Sequence, residues 1–160
     1  RKEHMNKFKK EIAKFTNPKE KGSLSEAIIN SDVFIGVSGI KNLLKVSMIK
    51  KMNKNSIVFA LTNPEPEIVP SVAKKAGVKI IATGSFKYHN KVNNAIVFPY
   101  LMRVILDLKI KRITMKIIYN TALAIANTVN KNKLSVNNII PELGNKKIQK
   151  NIMKSILTTT

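Results

Sequence analysis

The residues of this chain best placed to do chemistry are three side-chain amides, Asn63 and the adjacent pair Asn93 and Asn94. Asn63 follows the apolar run Ile57-Val58-Phe59-Ala60-Leu61 after Thr62 and precedes Pro64. Proline holds the backbone before it extended, so the Asn63 amide is presented where the run ends. An amide there donates and accepts at once, which suits a ribose hydroxyl or a carboxamide; an Asx-type turn before Pro64 would use the same group for local bonding alone. Asn94 reads as the N-cap of a helix, where unpaired backbone amides and the positive end of the dipole favour a carboxylate, and a plain cap with no ligand is the other reading. Ser38-Gly39 and Thr83-Gly84 each end an apolar run with small residues. Such pairs allow close approach of a ribose or phosphate, and they also serve any strand-to-loop turn.

Other candidate groups carry less. His89 is a lone loop histidine and reads as solvated, and His4 has no partner in sequence. Glu65 and Glu67 alternate around Pro66 and read as solvated acids at a helix approach. The chain has no cysteine, which removes disulfides, thiolate nucleophiles and sulfur-ligated metals from consideration.

The elements that must position these groups alternate between strand and helix signals, the pattern of a parallel α/β sheet. Ser23-Leu24-Ser25-Glu26 is a capping box opening a short helix that reaches about Asn30. Residues 32–37 read as a buried strand, 47–52 as a short helix and 57–61 as a central parallel strand. Pro70 opens a helix that Gly77 closes, and 78–82 form the third strand. A helix then starts near Asn94 with Pro99 in its first turns, followed by amphipathic helices over 114–129 and 145–157, all expected to flank the sheet. Ligands of open α/β sheets lie at the carboxyl ends of the strands, here Ser38-Gly39, Thr62-Asn63 and Thr83-Gly84.

With 160 residues and 44% hydrophobic composition, the chain suffices for one domain with a core. Its apolar runs fall far short of the roughly 20 residues of a membrane span. The formal net charge of +20 would ordinarily direct attention to nucleic acid. The lysines are instead scattered through every segment, only three arginines are present, and aromatic residues make up 6%. Forked phosphate and base contacts favour arginine, and base stacking favours interleaved aromatics, so the charge does not by itself indicate a nucleic-acid surface.

Taken together, Asp32-Val33-Phe34-Ile35-Gly36-Val37-Ser38, the run from Ile57 through Asn63-Pro64-Glu65-Pro66-Glu67-Ile68, Ile80-Ile81-Ala82-Thr83-Gly84 and Asn90-Lys91-Val92-Asn93-Asn94-Ala95-Ile96-Val97-Phe98-Pro99 resemble the nicotinamide-binding domain of malic enzymes, especially the bacterial type. The resemblance extends from about residue 1 to about residue 142 and weakens after Pro99. The chain departs from the family at Ser85-Phe86-Lys87-Tyr88-His89, where members carry an Arg-Ser-Asp-aromatic-Pro run, and at Tyr100, where they carry glycine.

The resemblance implies a partial Rossmann-like parallel sheet with flanking helices and a helical carboxyl-terminal segment. It implies NAD or NADP as the cofactor, contacted by Ser38, Gly39, Asn63 and Asn93, and a contact from Asn94 to the malate carboxylate. The family oxidises malate by hydride transfer and decarboxylates the product with a divalent cation, Mg or Mn. Its tyrosine acid, lysine base, metal carboxylates and glycine-rich phosphate turn all map before Arg1. Residues 1–160 are accordingly expected to be the carboxyl-terminal portion of the NAD(P)-binding domain, inactive alone, completed by an upstream half and homo-oligomeric when complete. A cytoplasmic location is expected. The alternative reading is a non-catalytic basic α/β module that binds protein or nucleic acid.

Overall fold

The computed structural model of the chain describes residues 5–16 and 22–158; His4 lies outside them. The expected alternation is present: β1 (Val33–Gly36), β2 (Ile57–Ala60) and β3 (Ile80–Thr83) form one parallel sheet in the order β1-β2-β3. Short helices accompany it: α1 (Lys7–Ile12), α2 (Leu24–Ala27), α3 (Val46–Ile49) and α4 (Pro70–Lys75). The capping box is formed, with the Glu26 carboxylate accepting from the Ser23 amide at 2.7 Å. Pro70 stands in the first turn of α4, where its missing amide hydrogen costs nothing. Gly77, at φ 110°, takes the left-handed backbone that lets the chain turn into β3.

Alternation along the strands decides which side chains meet the core. Val58, Ala60 and Ile81 point to one face and are fully or nearly fully buried with Ile28, Leu44, Ile49, Ile68, Ala73 and Val78. Burying each large aliphatic side chain contributes about 1.5–3 kcal/mol, and the central strand β2, paired on both sides, supplies Val58 and Ala60 to this cluster. The opposite face differs from expectation at β1. Val33 and Ile35 are exposed, because nothing among the described residues covers the outer face of β1.

The carboxyl-terminal helices are α5 (Phe98–Asp107), α6 (Met115–Ala126) and α7 (Lys147–Leu157). Ile148, Ile152 and Ile156 recur every four residues along one face of α7 and are buried against α5 and α6. These three helices thus share a second hydrophobic cluster beside the sheet. Asn90 joins it to β3. Its side-chain nitrogen donates to the Ile81 carbonyl at 3.0 Å and the Val136 carbonyl at 2.9 Å, while its oxygen accepts from the Ile139 amide at 3.0 Å. Among the described residues no helix is long and apolar enough to cross a membrane.

Candidate functional site

The register pairs Gly36 with Ala60 and Ala60 with Thr83, so the three strands end in one row. Ser38-Gly39, Thr62-Asn63 and Gly84 therefore lie at the same edge of the sheet, as the strand order requires. Their polar groups are organised by a residue that sequence reasoning placed in solvent. Glu67 is fully buried, a correction to its reading as a solvated acid. The chain folds back after Pro64 and carries Glu67 under the ends of β1 and β2. Its Oε1 accepts from the Ser38 amide at 3.0 Å, the Ser38 hydroxyl at 2.9 Å and the Thr62 hydroxyl at 2.5 Å; Oε2 accepts from the Thr62 amide at 3.1 Å. Glu65, by contrast, is exposed and pairs with Lys87 at 3.6 Å.

Burial pushes the Glu67 carboxyl up, but donation from the Thr62 hydroxyl and the Ser38 and Thr62 amides outweighs it, and the group titrates below the ordinary glutamate value. A depressed folded pKa contributes stability that is whole above the unfolded value of about 4.3 and is lost as pH falls through the folded value. Urea midpoints followed from about pH 6 down to pH 3 should therefore decline in the wild type and decline less in Glu67→Gln. Equal slopes for the two proteins would show that the bonds to this carboxylate do not favour its charged form.

A glycine in a strand of otherwise apolar residues is the signal that could have found this arrangement. A Cβ on Gly36 would stand 2.6 Å from Glu67 Cδ, so the glycine leaves room for the carboxylate. Gly84 has a similar function on the other side of the row. A Cβ there would meet Asn63 Nδ2 at 2.7 Å and the Leu61 carbonyl oxygen at 2.8 Å.

Gly84 is also where two of the candidate amides converge. Asn63 stands over it, and Asn93 Nδ2 donates to its carbonyl at 2.7 Å. Asn93 Oδ1 accepts from the Ala95 amide at 3.0 Å, which makes Asn93, rather than Asn94 as expected, the N-cap. The element it caps is a three-residue 3-10 turn, Asn94–Ile96, and α5 begins only at Phe98. So short a turn has little dipole, and any carboxylate at Asn94 must be held by the side-chain amide itself. Among the described residues the exposed Asn94 side chain has no hydrogen-bond partner. Asn93 retains one donor and one acceptor position beyond its two internal bonds.

Asn63, Asn93 and Asn94 line one open cleft of about 540 Å³, whose other walls are Val37, Leu61 and Ile96 and residues of α6 and the loop before α7. Apolar walls with a few convergent amides are the usual make-up of a small-molecule site. Ser38 and Gly39 do not line it. The Ser38 amide and hydroxyl are engaged by Glu67, and the Gly39 amide donates to the Thr62 hydroxyl oxygen at 3.0 Å. Their outer surface remains exposed. His89 is exposed, as read from the sequence. Among the described residues no group of three or more His, Cys, Asp or Glu stands together as ligands for a metal ion.

The family profile described as "Malic enzyme, NAD binding domain" matches residues 2–159. The chain is 39% identical over 153 residues to the bifunctional malic/malolactic enzyme of Bacillus subtilis and 40% identical over 153 residues to the NAD-dependent malic enzyme of Geobacillus stearothermophilus. Each alignment covers 95% of this chain, which spans 37% of the length of the first relative and 32% of the second. Among solved structures, the NAD-dependent malic enzyme of Thermotoga maritima superposes with a TM-score of 0.86 at 37% identity, over 95% of this chain and 39% of that one. The malic enzyme of Entamoeba histolytica gives 0.85 at 33% identity, over 95% and 32%.

Proposed function

This chain belongs to the malic enzyme family, as its NAD-binding domain, and from that membership we propose that it supplies the nicotinamide-side cofactor contacts and one substrate contact for the oxidative decarboxylation of malate to pyruvate and CO2. The observation that carries the reading is the convergence of Asn63, Asn93 and Asn94 on one cleft at the carboxyl ends of parallel strands. Asn63 is assigned to the cofactor, because its amide stands over Gly84 where no side chain obstructs approach. Asn93 is assigned to the cofactor through its spare donor and acceptor. Ser38 and Gly39 contribute the exposed outer surface of their turn, where the adenosine side of the cofactor would approach. Asn94, without internal partners, donates to a malate carboxylate.

The residues fit NAD or NADP: amides that both donate and accept match a carboxamide and ribose hydroxyls, and the apolar walls match a ring. The chemistry supplied by the bound cofactor is acceptance of a hydride. This chain's residues orient both ligands, and the described ones offer no ligand set for the divalent cation of the proposed reaction. The proposal includes a cytoplasmic setting, completion by the remaining length seen in the relatives, and homo-oligomeric assembly.

Purified 160-residue chain should show no malate-dependent reduction of NAD or NADP in the presence of Mg or Mn, and only weak cofactor binding. Titration with NAD and NADP, followed by the side-chain amide signals of Asn63 and Asn93, checks the assignment. Turnover by this chain alone would place the acid and base within it and overturn the proposed division of roles. Cofactor-induced shifts that avoid both asparagines would remove the cleft from the reading.

A further inference from the structure

We propose that Glu67 is a positioning residue: its buried carboxylate locks the carboxyl ends of β1 and β2 together and thereby sets where the Asn63 amide stands over Gly84. The β1/β2 ladder makes its last bond from the Leu61 amide to the Gly36 carbonyl at 2.9 Å. Two residues beyond the end of each strand, the Ser38 and Thr62 amides both donate to Glu67, at 3.0 and 3.1 Å. The carboxylate thus extends the pairing by one step with a side chain in place of a strand. The Thr62 hydroxyl donates to it at 2.5 Å and accepts from the Gly39 amide at 3.0 Å, which ties the next residue of the β1 turn into the same unit.

A purely space-filling role does not need a charge. Apolar residues of similar volume often match a buried ionic group in stability, whereas the bonds that Glu67 accepts hold the Ser38 and Thr62 amides in one direction. Here the direction is specific. Val37, Leu61 and Asn63, each adjacent in sequence to a residue bonded to Glu67, all line the cleft. Glu67 itself touches no ligand position, and its effect passes through Thr62 to Asn63. The consequence for ligand binding rests on the cofactor reading given above; the placement of Asn63 does not.

The test is residue-resolved NMR of the full chain. In the wild type under acid titration, the Ser38 and Thr62 amide signals should move with a common midpoint below the ordinary glutamate range, and the Asn63 side-chain amide should move at that same midpoint. In Glu67→Gln, the contact between the Asn63 side-chain amide and the Gly84 α-protons should weaken, whereas Val58→Ala, a destabilising change in the core of β2, should retain it. Cofactor dissociation constants should then rise about tenfold or more in Glu67→Gln and stay near wild type in Val58→Ala. Asn63 signals that follow neither the midpoint nor the substitution overturn the proposal, as does equal cofactor affinity in Glu67→Gln and wild type. Should the wild type show no cofactor response at Asn63 or Asn93, the cofactor reading fails while the acid titration still decides the positioning role, with no variant required.

Discussion

Replacing Glu67 with alanine is expected to destabilise the protein by about 3 kcal/mol or more, a large share of the roughly 5–15 kcal/mol available to a domain. The substitution leaves the Ser38 amide and the buried Thr62 amide and hydroxyl without their acceptor, while the Ser38 hydroxyl keeps the Ile40 carbonyl at 3.4 Å. A buried donor left unsatisfied costs about 1–3 kcal/mol, and water entering the vacated space recovers only part of the sum. Removal of the side chain also opens a cavity between Gly36 and the Thr62 loop. Urea unfolding of Glu67→Ala and Glu67→Gln beside the wild type measures the effect, with glutamine milder because it retains the volume and one acceptor. A loss below about 1 kcal/mol for alanine would mean that solvent already reaches these donors.

The second large effect concerns Asn94. In a fusion or co-expressed assembly that supplies the remaining length of a malic enzyme, Asn94→Ala is expected to lower kcat/KM for malate by about ten- to a hundredfold. That range corresponds to one hydrogen bond to a charged group, about 1.5–3 kcal/mol. Because Asn93 is the cap, Asn94→Ala should leave thermal stability within about 0.5 kcal/mol of wild type. Asn93→Ala provides the contrast: it removes the bonds to Ala95 and Gly84 and should cost about 1 kcal/mol or more of stability. If Asn94→Ala instead destabilises the fold and leaves malate kinetics unchanged, Asn94 is a structural residue and the substrate assignment falls.

What the sequence discloses here divides along a physical line. Local signals located the elements: Pro70 and Gly77 bracket α4, the apolar runs at 57–61 and 78–82 contain β2 and β3, and every fourth residue of α7 faces the second cluster. Strand ends follow from the elements, so Ser38, Asn63 and Gly84 were legible as neighbours at one edge. Side-chain commitments at that edge depend on contacts across dozens of residues, and these were hidden. Ser38 and Glu67 are 29 positions apart, and nothing in Asn63-Pro64-Glu65-Pro66-Glu67 indicates which carboxylate turns inward. The N-cap lies one residue before the expected position, because Asn93 and Asn94 are chemically alike and only the bonds of Asn93 to the Ala95 amide and the Gly84 carbonyl distinguish them. The burial of β1 was misread for a related reason: its apolar run describes a strand suited to cover on both faces, while the covering of one face is not a local property.

The outer face of β1 has a consequence for the chain in solution. Val33 and Ile35 are exposed beside an edge of the strand that no strand among the described residues pairs, with Val37 following them. Such an edge presents free amides and carbonyls flanked by β-branched side chains, a template on which a second strand can pair. Opposing this is a formal charge of +20 spread over 160 residues, which keeps like molecules apart over a screening length of about 10 Å at 0.1 M salt and about 3 Å at 1 M. Added salt is therefore expected to weaken the mutual repulsion and favour edge-to-edge association, which light scattering at about 0.1 M and about 1 M salt would check.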